Sequence, residues 1–84
     1  MLVKCIRLIE GPGPSEAVVR IVTSDGPEEI VVDTTLIRDD ALEVGPLVAH
    51  RDGHGLIELP RESVSGRVRV WISESEFANS REVA

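Results

Sequence analysis

Short apolar runs rich in β-branched residues recur along this chain, and clusters of Gly, Pro, Asp and Ser separate them. Runs of this length between turn-forming residues are typical of β-strands. The pattern predicts an all-β fold, a strongly bent antiparallel sheet of five or six strands that closes into a small barrel or sandwich. The predicted strands cover residues 2–10, 16–24, 28–34, 46–51, 55–60 and 66–73.

A chain of 84 residues has room for one domain with a thin hydrophobic core. We expect residues 1–74 to form that single β domain. Residues 75–84 read as a C-terminal tail, either frayed from about Asn79 or folded as a short helix that Ser73 and Glu76 would cap.

The segment Ser24–Pro27 predicts a four-residue hairpin loop, because Pro27 lacks the N–H that a tight two-residue turn would use. A loop centred on Asp25 and Gly26 places Ile21 opposite Ile30 on the core face of the hairpin. The other face is more apolar than a solvated surface requires, so we expect part of it to be covered; its residues are Val18, Arg20, Val22, Glu29 and Val31.

The segment from Asp40 to Val44 predicts one helical turn. Asp40 and Glu43 have the spacing of a capping box, and Gly45 follows where a helix would end.

Fifteen acidic residues against nine basic ones give a net charge of −6, which disfavours nucleic acids and anionic membranes as partners. The single cysteine, Cys5, excludes a disulfide within the chain and suits a reducing compartment. Lys4 and Arg7 interrupt the first apolar run, so it does not resemble a signal peptide. We therefore expect a cytoplasmic protein.

The richest polar cluster is the segment His50–Gly55. Two imidazoles and the Asp52 carboxylate are the groups that a metal or acid–base site needs, so His50, Asp52 and His54 form a candidate site. A two-residue turn at Asp52 and Gly53 would place His50 and His54 on opposite sides of the hairpin, which favours a solvated turn. No metal site is expected.

Cys5 stands in the first predicted strand without a histidine nearby in sequence, as is usual for an inert buried thiol. The acidic group Asp39, Asp40 and Glu43 lacks the ligand spacing of a calcium loop. Walker, GxGxxG, GxSxG, HExxH and CxxC motifs are all absent from the sequence. We therefore expect neither an enzyme nor a bound cofactor.

Arg67, Arg69 and Trp71 alternate along the last predicted strand and form a candidate binding surface, because Trp and Arg are enriched at interface hot spots. Val68, Val70 and Ile72 would then face the core. One hypothesis is a homodimer built on this surface. The alternative is that the chain's own tail covers Trp71, with Phe77 or Leu59 against the ring, while the two arginines bind nearby acidic residues.

Residues 43–53 resemble the corresponding segment of the small barrel chaperones of hydrogenase maturation. That family carries its functional cysteine directly after the initiator methionine, where this sequence has Leu2. The family's function is therefore not transferred to this chain.

Together these observations favour a non-enzymatic protein-interaction or accessory module. A small metal-binding or catalytic protein that uses His50 and His54 is the first alternative, and a nucleic-acid-binding barrel is the second.

Overall fold

The computed structural model describes residues 1–78, which form nine β-strands and two short 3₁₀ helices. The first six strands are β1 (Leu2–Lys4), β2 (Ile6–Glu10), β3 (Glu16–Thr23), β4 (Gly26–Asp33), β5 (Ile37–Arg38) and β6 (Ala41–Glu43). The last three are β7 (Leu47–Arg51), β8 (His54–Glu58) and β9 (Arg69–Ser73). The 3₁₀ helices span Thr34–Leu36 and Glu74–Glu76.

The strands form three antiparallel sheets of three strands each, in the orders β1-β6-β5, β2-β3-β4 and β7-β8-β9. The predicted all-β class is therefore confirmed. None of the three sheets formed by residues 1–78 closes into a barrel. Neither 3₁₀ helix is long and apolar enough to cross a membrane.

The first predicted strand is divided at Cys5, and its two halves join different sheets. Leu2–Lys4 pairs with β6, whereas Ile6–Glu10 pairs with β3. The Cys5 N–H donates a hydrogen bond of 2.8 Å to the carbonyl oxygen of Asp40 at the point of division. This division, together with the two unpredicted strands β5 and β6, replaces the five or six expected strands with nine.

The helical turn predicted at Asp40–Val44 is wrong, because residues 41–43 form strand β6. Asp39 has a φ of +55° and begins a tight turn that pairs Arg38 with Ala41. Leu42 lies between β1 and β5 and is fully buried. Burial of this leucine between two strands outweighs the local capping signal.

The β3–β4 hairpin has a two-residue turn, so the predicted four-residue loop is wrong. Thr23 pairs with Gly26, whose φ of +112° suits glycine. Antiparallel pairs alternate between hydrogen-bonded and non-hydrogen-bonded types, so the next pair, Val22 with Pro27, needs no N–H from the proline. The register therefore shifts by two residues, and Val19 instead of Ile21 lies opposite Ile30.

The hydrophobic core lies between the inner faces of the three sheets. Phe77 packs against it and forms an isolated bridge with Val3 of β1. The predicted capping role of Ser73 is confirmed, since its side chain accepts a hydrogen bond from the N–H of Ser75. The fraying predicted after Asn79 lies outside the described residues. The buried core residues are Val3, Cys5, Val19, Ile21, Ile30, Val32, Leu42, Val44, Ile57, Leu59, Val70 and Ile72.

A buried carboxylate attaches the irregular segment 59–68 to β4. Glu28 is only 8% exposed, and one of its oxygens accepts hydrogen bonds from Ser63 (2.9 Å) and Ser65 (2.6 Å). Its other oxygen lies 3.4 Å from Nε of Arg67. The N–H of Val64 donates a hydrogen bond to the carbonyl oxygen of Glu29, the residue after Glu28 in β4. This bond fixes the segment along the edge of β4.

We expect Glu28→Ala to lower the free energy of unfolding by about 1–3 kcal/mol, because the two serines and Arg67 lose a buried acceptor. The control is Glu29→Ala, which removes only an exposed ion pair with Arg20 and should cost less than about 1 kcal/mol. Urea denaturation measures both. Equal losses for the two variants would contradict a role for the buried network.

Candidate functional site

The turn at Asp52 and Gly53 has the predicted register, with Arg51 opposite His54 and His50 opposite Gly55. Asp52 and Gly53 have φ angles of +52° and +75°, as a two-residue hairpin turn of this type requires. Arg51 and His54 therefore point to one side of the β7–β8 hairpin and His50 to the other.

The two histidines have separate partners. His50 Nε2 lies 2.8 Å from Glu74 Oε2, and both side chains are more than half exposed. His54 Nδ1 lies 2.9 Å from the carbonyl oxygen of Asp52. Residues 1–78 contain no group of three His, Cys, Asp or Glu side chains placed to hold a metal ion. The candidate set His50, Asp52 and His54 is thus not brought together at one point.

The arginines of the predicted binding strip are already ion-paired within the chain. Arg67 Nη1 lies 2.8 Å from Asp25 Oδ2, besides its contact with Glu28. Arg69 lies 3.0 Å from Glu58 Oε2, its opposite residue on β8. Both side chains therefore connect structural elements, and β9 itself begins only at Arg69.

Val68 was expected to face the core together with Val70 and Ile72. It lies before β9 and is 49% exposed, so this expectation is wrong. The backbone of Val68, and not its side chain, makes the structural contact: its carbonyl oxygen accepts a hydrogen bond from the N–H of Leu59. Val70 and Ile72 are buried as predicted.

Trp71 is half-buried on the outer face of the β7-β8-β9 sheet, opposite Leu56. Its carbonyl oxygen accepts a hydrogen bond of 2.9 Å from the N–H of Ser24 in the β3–β4 turn. The guanidinium carbon of Arg51 lies 5.0 Å from the centre of the indole ring, which is a cation–π distance. Phe77 packs against the core instead, where Leu59 is also buried.

A shallow cavity of about 330 Å³ opens beside the indole ring. Arg51 makes no ion pair with a carboxylate of residues 1–78, in contrast to Arg67 and Arg69. Sequence reasoning missed Arg51, although the predicted hairpin register already placed it on the same side as His54. We call this surface the Trp71 pocket; its lining residues are Ser24, Arg51, Asp52, His54 and Trp71.

A broader open cleft of about 1070 Å³ lies next to Cys5 and shares no lining residue with the Trp71 pocket. Burial raises the pKa of the Cys5 thiol, and the negative charge of Asp40 raises it further. The thiol is therefore a poor nucleophile at neutral pH, and neither histidine lines this cleft. Its charged lining residues are Lys4, Arg7, Arg38, Asp39 and Asp40.

Comparison with known proteins gives no match for this chain among protein-family models, curated proteins or solved structures.

We expect iodoacetamide to alkylate Cys5 in the folded protein at least about tenfold more slowly than in the urea-unfolded chain at the same pH. The rate for the folded protein should still rise with pH above 9.0, the ordinary thiol pKa near which alkylation of the unfolded chain levels off, because the folded environment favours the neutral form. Mass spectrometry of timed samples measures the rate. Faster alkylation of the folded chain near neutral pH would indicate an activated thiol.

We expect Arg51→Ala to increase acrylamide quenching of Trp71 fluorescence, because the guanidinium covers one face of the ring. The variant should lose no more than about 1 kcal/mol of stability, as is typical of an exposed cation–π pair. Arg69→Ala is the matched control, since Arg69 binds Glu58. Unchanged quenching in Arg51→Ala would contradict the contact.

Proposed function

We propose that this protein is a non-enzymatic interaction module that binds an extended, carboxylate-bearing segment of a partner protein in the Trp71 pocket. The observation that supports this most is the half-buried indole of Trp71 beneath Arg51, a guanidinium with no carboxylate partner in residues 1–78. Trp and Arg are the side chains most enriched where binding energy concentrates.

The indole is held in place before any partner arrives. The β8–β9 ladder fixes its backbone on one side, and the hydrogen bond from Ser24 fixes it on the other. Arg51 restricts the ring itself. A side chain ordered in advance loses little conformational entropy on binding, so more of the contact energy remains as affinity.

The polar groups of the Trp71 pocket complement a peptide. Arg51 offers the planar donor group that binds carboxylates in a bidentate way. The carbonyl oxygen of Asp52 can only accept, so Nδ1 of His54 is the donor in this hydrogen bond, and Nε2 is the acceptor that the neutral imidazole would offer a ligand. A peptide segment supplies both a carboxylate and N–H donors.

The distribution of reactive groups supports a non-enzymatic role. His50 and His54 have separate partners, and Cys5 lines a different cleft from either. The net charge of −6 opposes the densely charged backbone of a nucleic acid more than it opposes a peptide with one or two carboxylates. Nothing in the geometry of residues 1–78 favours the metal-binding or nucleic-acid alternatives over the peptide-binding proposal. The cytoplasmic location stays a prediction from the sequence.

The test uses Trp71 as a reporter, because it is the single tryptophan of the chain. A pool of blocked hexapeptides with two glutamates each is titrated against the labelled protein, and two-dimensional NMR follows the indole N–H. We expect saturable shifts with the glutamate pool and much smaller ones with the same pool carrying glutamine. Arg51→Glu should weaken binding at least about tenfold, as is typical of a hot-spot residue.

Arg38→Glu is the control, since it makes the same charge change at an exposed residue that does not line the Trp71 pocket. The proposal fails if neither pool shifts the indole at millimolar concentration. It also fails if Arg51→Glu and Arg38→Glu weaken binding equally, because the effect would then be general electrostatics.

A further inference from the structure

Strand β2 is an edge strand, paired only with β3 among the described residues. A bulge places both Leu8 and Ile9 opposite Val18. The N–H of Gly11 donates to the carbonyl of Glu16 on β3, so Glu10 directs its own backbone groups away from β3. The same alternation directs the backbone groups of Arg7 outwards.

The bulge makes these two outward positions suitable for pairing. Arg7 and Glu10 are three residues apart in sequence, but the two residues between them together lie opposite a single residue of β3. Arg7 and Glu10 therefore lie opposite Val19 and Ala17, which are only two residues apart. Their spacing along the strand is therefore that of two regular residues, which is the repeat of outward hydrogen-bonding positions in an antiparallel ladder.

We propose that β2 pairs antiparallel with β2 of a second copy of this chain, with Arg7 of each copy opposite Glu10 of the other. The two sheets would join into one six-stranded sheet about a twofold axis. Neither Arg7 nor Glu10 has an ion-pair partner within residues 1–78. The pairing supplies each with one, and opposite charges directly across a ladder are stabilising.

Apolar exposure at the same edge supports the pairing. Ile6 and Ile9 are 59% and 66% exposed on the outer face of the sheet, and Val22 beside them is 49% exposed. The twofold axis places Ile9 next to its own copy, so two of the most exposed apolar side chains of the molecule cover each other.

Another edge strand of the described residues provides a comparison within the same molecule. Strand β7 also contains a bulge, at Val48, and Leu47 and His50 occupy the positions equivalent to Arg7 and Glu10. These two residues offer no charge complementarity between copies. A bulge and charged residues also protect edge strands from pairing, so the complementary order of charges in β2 is what favours a second copy.

The test reverses the charges of Arg7 and Glu10, singly and together, and measures dimerisation by sedimentation equilibrium. We expect a weak wild-type dimer with a dissociation constant of roughly 10–500 μM, because the interface is small. Arg7→Glu and Glu10→Arg should each weaken it at least tenfold by placing like charges opposite each other. An equimolar mixture of the two variants, and the double variant Arg7→Glu/Glu10→Arg, should both restore dimerisation.

Residue-specific amide exchange gives a second readout. The N–H groups of Arg7 and Glu10 should exchange more slowly as wild-type concentration rises, whereas those of Leu47 and His50 should not change. Glu62→Arg is the control for Glu10→Arg, since it makes the same charge change on an exposed loop.

A wild-type chain that stays monomeric at about 1 mM overturns the inference. A dimer whose dissociation constant is the same in Arg7→Glu and Glu10→Arg as in the wild type overturns it as well. A dimer lost in Trp71→Ala alone would move the interface to the Trp71 pocket and equally overturn pairing at β2. Peptide binding at the Trp71 pocket is measured separately, so either proposal can fail without the other.

Discussion

The pairing of β3 with β4 is the interaction on which the other sheets depend. These strands match over their whole length, and each edge of the hairpin carries a different neighbour. Strand β2 lies along β3, the turn at Ser24 binds β9, and Glu28 with Glu29 holds the segment 59–68. The register of one hairpin therefore sets where the third sheet and its tryptophan lie. A shift by one residue would turn Glu28 away from the serines that it binds.

Local chemistry made part of the fold predictable. The turn at Asp52 and Gly53 follows from two residues that tolerate positive φ, and the alternation in β9 follows from its period of two. The division at Cys5 was not predictable, because it depends on a hydrogen bond to Asp40. Strand β6 was missed for a related reason: its partners β1 and β5 stabilise it through contacts that no local window contains.

In the candidate site, the position of Trp71 was predictable from the sequence, but the contacts of the side chains around it were not. The strand period placed Trp71 on the outer face correctly. It did not reveal which acid Arg67 binds, because Asp25 lies 42 residues from Arg67 in sequence. The same limitation hid Arg51, whose distance from the indole depends on how β7 and β9 flank β8. Charge partners between distant strands are properties of the assembled sheets.

The position of β1 has a consequence for how this protein folds during its synthesis. Val3 pairs with Leu42 in the middle of the chain and bridges to Phe77 near its end. A ribosome releases β1 well before its partner strand β6, about forty residues downstream, and longer still before Phe77, more than seventy residues downstream. Closing so long a loop is slow, and the apolar first strand stays exposed in the meantime. Vectorial folding can thus complete the hairpins one by one, but the core closes only after Phe77 has emerged.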